Sequence, residues 1–271
     1  MEQQAKSSKT ITVLAWLIVL AFSMPFIWMI LASFKTQAQI MSPAQTFIFK
    51  PTLKNYSAVF EQYNFIKYIT NSLIVAIGST LGSLLLGLPA AYAIARYRLQ
   101  GLGLLLLVAR IIPAITFLIP WFILFSQMKL IDTYIALILS HMLVGMPFIA
   151  WIMISFFDAL PLEIEEAALI DGCSKLKVFL NIVLPVSGPG IITASLLSVI
   201  FSWNNFMFSL ILAGEKTKTL PVAVFNFISY SDVNWGGLMA AACIITLPVL
   251  VISLVAQRYI VSGLAAGAVK G

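Results

Sequence analysis

Polar and apolar positions in this chain do not alternate at short period. They separate into long blocks. Apolar runs of 18 residues or more occur at about Ile11–Phe34, Ile69–Ala95, Leu102–Met128, Thr133–Phe157, Ile191–Ala213 and Gly236–Gln257, and only the third carries a formal charge, Arg110. Runs of this length predict membrane-crossing helices. They exclude a membrane barrel, whose strands need only about 9–11 alternating residues. The expectation is an all-α integral membrane protein of six transmembrane helices, forming one transmembrane domain over residues 1–271. The first run lacks a small-residue cleavage site and reads as a retained span.

Prolines fall inside five of the runs (Pro25, Pro89, Pro113 with Pro120, Pro147 and Pro248) and predict kinks. The second run adds Gly78, Gly82 and Gly87 among serines and threonine, a spacing that lets helices approach closely. Between the first two runs, Tyr56, Phe60 and Tyr63 repeat at helical spacing and predict an amphipathic surface helix.

One passage breaks the pattern. EEAALIDGCSKLKVFLNIVLP, from Glu165 to Pro185, places three carboxylates, two lysines and a glycine between two apolar runs. Pro161 suits a helix start. Glu163, Glu165 and Glu166 then complement the helix dipole. Gly172 follows Asp171 where a left-handed cap would stop the helix, and Ser174 can cap the next one. The prediction is a short helix of about ten residues, a tight turn, and a second helix re-entering the membrane. Ala167 and Ala168 give the short helix a slim face that a protein partner can approach. Three carboxylates beside anionic lipid would be repelled, which favours a protein partner over the headgroups.

Composition sharpens the class. The chain is 61% hydrophobic and 10% charged, with mean hydropathy +1.02, whereas a soluble domain carries about 25% charge. The net charge of +6 is spread over the ends of apolar runs, which suits anionic lipid headgroups and not nucleic acid. Cys173 and Cys243 lie in dissimilar surroundings and are not expected to pair. No phosphate-binding GxxxxGK[ST] motif, HExxH or nucleophile elbow occurs. The chain alone is therefore not expected to be an enzyme, and no cofactor is expected on it.

Among lone polar groups, Arg110 lies about two turns into the third run, where it either snorkels to the interface, contacts a neighbouring helix or lines a path. His141, the only histidine, is either a hydrogen-bonded packing residue or a path-lining group. Trp203, Asn204 and Asn205 fall in the fifth run. They offer the aromatic face and amides that hold sugars, or polar contacts between helices.

Glu166-Ala167-Ala168, then Gly172, then Ile182-Val183-Leu184-Pro185 resembles the EAA motif of permease subunits in binding-protein-dependent ABC importers. SFKT at Ser33–Thr36, AYAIAR at Ala91–Arg96, MPF at Met146–Phe148, TLPV at Thr219–Val222 and GAVKG at Gly267–Gly271 resemble the carbohydrate-uptake permeases of the maltose type. Where many such permeases carry WNEF, this chain has Trp203-Asn204-Asn205-Phe206.

The resemblance implies a membrane subunit of an ATP-driven carbohydrate or polyol importer working by alternating access. The short helix, with Glu165, Glu166, Ala167, Ala168, Asp171 and Gly172, would be a cytoplasmic coupling helix between the fourth and fifth spans, in a loop of about residues 158–190. The implied partners are a second permease, two ATPase subunits binding ATP and Mg, and an external solute-binding protein near residues 214–235. Gly267, Lys270 and Gly271 would reach the ATPase, and both termini would be cytoplasmic, in a bacterial or archaeal inner membrane. The rival is an ion-coupled secondary carrier. Such carriers place ionisable groups at mid-membrane, and no Asp or Glu lies inside any of the six runs.

Overall fold

The computed structural model describes residues 2–229 and 233–268, with side chains for 11–257. Regular structure in these residues is helical, apart from one isolated bridge between Ile228 and Val233. Four helices are long and apolar enough to cross a membrane: α1 (Glu2–Ser33), α3 (Phe65–Arg96), α6 (Tyr134–Ala159) and α11 (Trp235–Ala268). Two bent pairs pass the same test together, which gives four to six crossings. The shorter helices between them include α2 (Lys54–Glu61), α4 (Gln100–Ile111), α5 (Leu118–Gln127), α7 (Leu162–Ile170), α8 (Lys175–Val178), α9 (Gly188–Trp203) and α10 (Met207–Leu212).

Two of the expected spans are not single straight helices. The run Leu102–Met128 is not one helix: α4 and the segment containing α5 meet at 89°. Pro113 is the cause. A proline drives its predecessor out of the helical region, and Ile112 accordingly sits at φ −64°, ψ 123°. Pro120 falls in the first turn of α5, where its missing N–H leaves no bond unmade. The run Ile191–Ala213 also divides. Its helix begins earlier, at Gly188, stops at Trp203, and restarts at Met207. The segment before it, Lys175–Val186, meets it at 75°. Within that segment Phe179–Val183 is π-helical. This wider turn lies just ahead of Pro185, whose ring would crowd the carbonyl four residues back in a regular helix.

The chain forms two compact units. The first comprises residues 1–65 and 224–247. Here α1 buries none of its apolar window, with Trp16 and Phe22 more than two-thirds exposed, as lipid-facing side chains are. The C-terminal end of α1 is fixed from α2. Asn55 Nδ2 donates to the carbonyls of Ser33 (2.7 Å) and Lys35 (2.8 Å), and the Tyr56 hydroxyl meets Ser33 Oγ at 2.8 Å. Lys35 is buried. Its ammonium donates to the Thr46 carbonyl and lies 4.8 Å and 4.6 Å from the Trp28 and Phe49 ring centres, so the aromatic faces offset much of its desolvation.

The second unit comprises residues 66–223 and 248–271. Its core is the packing of α6 against α3 and α9. Gly78 and Gly82 admit Ile138 and Met142 so closely that a Cβ would stand 2.7 and 2.6 Å from them. Along these helices the core has three zones. An apolar cluster with Val75, Leu137, Phe208 and Leu212 lies toward one end. Another, with Ala91, Ile149, Met153, Phe157, Val178, Phe179 and Ala168, lies toward the other. Between them runs a buried polar seam of Ser79, Thr80, Ser83, His141, Ser198 and Ser202.

Candidate functional site

Helix α7 stands between two backbone breaks. Leu160 and Pro161 are extended (ψ 130° and 131°), separating it from α6. At its other end the chain turns at Gly172, φ +85°. The Gly172 N–H bonds to the Leu169 carbonyl and the Cys173 N–H to the Ala168 carbonyl, at 3.1 and 3.0 Å. This is the paired Schellman closure, and it demands a left-handed residue where glycine has no steric cost. Ser174 Oγ then accepts the Lys177 N–H and opens α8. The predicted helix, stop and restart are all present.

The two faces of α7 differ in kind. Glu165 and Ala168, three residues apart, turn inward and are buried. Glu163, Glu166, Ala167, Ile170, Asp171 and Gly172 are exposed. Ala167 and Ala168, read from the sequence as one slim face, therefore separate, because adjacent helical positions differ by about 100°. Ala168 joins the apolar cluster, and Ala167 faces out beside Ile170, which is 86% exposed. Glu166 has no hydrogen-bond or ion-pair partner among the described residues.

Glu165 does not share that outward face. Its carboxylate accepts from Arg96 Nε (2.6 Å) and Nη2 (2.6 Å) on one oxygen and from the Tyr92 hydroxyl (2.6 Å) on the other. Arg96 Nη2 also reaches the Leu160 carbonyl at 3.3 Å. The Tyr92 ring packs edge-on to Phe157 and tilts against Phe179. One carboxylate thus draws together the end of α3, the end of α6, α7 and the π-helical turn. Sequence reasoning missed Arg96 and Tyr92 as site residues. The available signals were an arginine closing an apolar run and the three-residue spacing of Glu165 and Ala168.

The opposite end of the second unit holds a second knot. Asp132, itself at φ +60°, accepts from the backbone N–H groups of Gly214, Lys216 and Thr217 and from the Thr217 hydroxyl, at 2.8–3.1 Å. Burial alone would raise its carboxyl pKa, but these donors outweigh it and hold the carboxyl below its usual range. Asn71 Nδ2 donates to the Lys216 and Lys218 carbonyls, and its Oδ1 accepts from the Tyr134 hydroxyl.

The remaining candidates do not converge. His141 is buried in the seam, with Nδ1 2.7 Å from Ser202 Oγ and Nε2 unbonded among the described residues. Arg110 lies over the Phe148 ring at 4.9 Å, a contact from α4 to α6. Trp203 is buried, while Asn204 bonds back to the Ile200 carbonyl and Asn205 Oδ1 accepts the Phe208 N–H. Gly267 lies in the last turn of α11; Lys270 and Gly271, and Tyr230 to Asp232 of the 214–235 connection, fall outside the described residues. No group of three or more His, Cys, Asp or Glu that could hold a metal occurs among the described residues.

Fold and site together define a multi-pass α-helical membrane protein with a short capped helix held at one end of its core. Residues 83–265 match the family model described as "Binding-protein-dependent transport system inner membrane component", and the chain belongs to that family. It is 38% identical over 273 residues to a probable ABC transporter permease of Sinorhizobium fredii, covering 98% of this chain and 99% of the relative. It is 36% identical to a trehalose/maltose transport system permease of Thermococcus litoralis, covering 91% of each. Its fold matches a chain of a bacterial ABC transporter involved in import of the acidic polysaccharide alginate, with TM-score 0.81 at 20% identity over 96% of this chain and 98% of that one.

Proposed function

We propose that this chain is one of two membrane subunits of an ATP-driven importer of a carbohydrate or polyol, of the maltose-type branch, with α7 as the helix that docks into a cytoplasmic ATPase subunit. The observation carrying this reading is the division of α7. Its inner face is tied to the bundle by Glu165 and Ala168, while Glu166, Ala167 and Ile170 are presented outward with no partner among the described residues. A small residue flanked by a free carboxylate and an exposed isoleucine suits a shaped protein cleft better than water or anionic headgroups.

The carbohydrate class is supported by relatives named for sugar transport: trehalose/maltose in Thermococcus litoralis, and sulfoquinovosyl glycerol in Agrobacterium fabrum at 32% identity and 91% of this chain. On this reading the bent pairs each count as one crossing. The chain is then a single six-span permease domain with both termini and α7 cytoplasmic, and with the Asp132 knot external, near the solute-binding protein. ATP and Mg belong to the partner ATPase. The C-terminal tail, with Gly267, Lys270 and Gly271, adds a second ATPase contact. Asn204, Asn205 and His141 each engage one side-chain polar atom within the chain, and with Trp203 and Arg110 they are the candidates for the substrate path.

Co-purification tests the docking. With the chain, its partner permease and the cognate ATPase co-expressed, Ala167→Trp or Gly172→Leu leaves the permease pair in the membrane and loses the ATPase. Stoichiometric ATPase retained by both variants would remove the docking reading.

A further inference from the structure

The flanks of α7 make poor levers. At its N-terminal side the chain leaves α6 through two extended residues, Leu160 and Pro161; the Leu160 N–H closes the last turn of α6 on the Phe157 carbonyl (3.2 Å), and Pro161 has no N–H to carry the ladder further. At its C-terminal side it leaves through Gly172 at φ +85°, with no atom within 4 Å of where a Cβ would stand. A displacement applied to the outward face of α7 can be absorbed at either corner by backbone rotation. What resists rotation is the contact of the inner face with α3.

That contact has the properties of a joint. The Arg96–Glu165 pair is about nine-tenths buried on both sides, so water does not compete for either charge. Both carboxylate oxygens are held, one by the guanidinium and one by the Tyr92 hydroxyl. The guanidinium takes a second grip on the Leu160 carbonyl, at the corner where α7 would otherwise hinge. Tyr92 is itself wedged between Phe157 and Phe179. Planar, multiply bonded arginine–carboxylate contacts fix orientation as well as distance.

We infer that Arg96, Tyr92 and Glu165 are positioning residues that make α7 and α3 move as one body, so that displacement of α7 by the ATPase is delivered to α3. The inference rests on the docking of α7 proposed above. It assigns Glu165 a role opposite to that of its neighbour Glu166. Glu166 faces the partner; Glu165 faces the membrane helices and touches no partner.

The test measures distance within the complete complex of this chain, its partner permease and the ATPases. Spin labels are placed at Glu163→Cys on α7 and Leu85→Cys on α3, both exposed positions, with Cys173 and Cys243 replaced by serine. With the joint intact, the inter-label distance is single and unchanged between the nucleotide-free complex and the complex trapped with ATP and vanadate. In Glu165→Gln, trapping shifts or broadens the distance while the ATPase stays bound and hydrolyses ATP. Tyr92→Phe, which loses one hydroxyl, shows the same change in smaller degree, and carries the test if Glu165→Gln does not assemble. A distance in the variants as constant as in the parent overturns the inference. So does a parent distance that changes on trapping. Docking fails separately, through ATPase retained by Ala167→Trp.

Discussion

Asp132 and Thr217, 85 residues apart in sequence, meet at one oxygen: Asp132 Oδ1 accepts both the backbone N–H (2.9 Å) and the hydroxyl (2.8 Å) of Thr217. Gly214 and Lys216 add their N–H groups. The carboxylate therefore substitutes for secondary structure in a loop that would otherwise leave four donors to water. Asp132→Asn keeps the size but points an amide toward donors. An unmade hydrogen bond of this kind costs about 1–3 kcal/mol. Trypsin cleavage after the loop lysines Lys216 and Lys218 should rise about 5- to 30-fold for each 1–2 kcal/mol lost, where cleavage follows opening. A cleavage rate equal to wild type would show that the loop is held by Asn71 alone.

The same carboxylate gives a pH dependence with a definite sign. Its folded pKa is depressed, so the stabilisation is complete above the unfolded value, about 3.9. It is lost only as pH falls below that value, through the lower folded one. Loop protection should be flat from pH 7 to pH 5 and fade below about pH 4. Protection that fades between pH 7 and 5 would point to a different group.

In the seam, Ser202 Oγ meets His141 Nδ1 at 2.7 Å and accepts from Ser79 Oγ at 3.1 Å. Ser202→Ala leaves the buried ring nitrogen without its partner, and we expect a loss of about 1–3 kcal/mol, read as a lower Tm in detergent. Ser79→Ala leaves the His141–Ser202 bond in place and should cost less. Equal losses would mean that the seam contributes by packing and not by hydrogen bonding.

Much of this was legible in the sequence, for local reasons. The four long helices follow from uninterrupted apolar runs, and the Gly172 turn follows from a glycine placed where a short helix must stop. The 89° bend was only half legible: Pro113 announces a break, but its angle depends on how α4 packs on α6. The Trp203–Asn205 stretch looked like mid-span because its neighbours are apolar. Its amides instead satisfy local backbone groups at a helix break. Arg96 with Glu165 and Asp132 with Thr217 were not legible, because each pair lies far apart along the chain and meets only after the helices pack.

Gly190 lies against the face of the Phe156 ring, and a Cβ there would stand 2.7 Å from ring carbons. Gly190→Ala must displace the ring, an overpacking cost of typically about 1–3 kcal/mol. Thermal unfolding should show the loss, and Phe156→Leu in the same chain should recover part of it. An undiminished Tm in Gly190→Ala would mean that the ring has room to turn away.

Glu166 separates charge from shape at the outward face of α7. It is the fifth of the nine residues of α7, just past the first-turn acids Glu163 and Glu165, and it is exposed and without a partner among the described residues. At that position its carboxylate gains no more than about 0.3 kcal/mol from the helix dipole, which falls off within the first turn. If the dipole is its only role, Glu166→Gln costs no more than that, and transport persists. If it meets a basic group in the ATPase cleft, docking removes both charges from water. Truncating one member of such a pair costs about 2–5 kcal/mol, largely by leaving the other charge buried and unpaired. We expect the second outcome: Glu166→Gln weakens ATPase association and lowers stimulated hydrolysis, while the chain still inserts and pairs with its partner permease. Glu165→Gln should not weaken association, because Glu165 faces Arg96 and not the cleft. Reversing the partner's basic residue should then harm Glu166→Gln less than it harms the parent. Strictly additive losses in that double-mutant cycle would refute the ion pair and leave docking by shape alone.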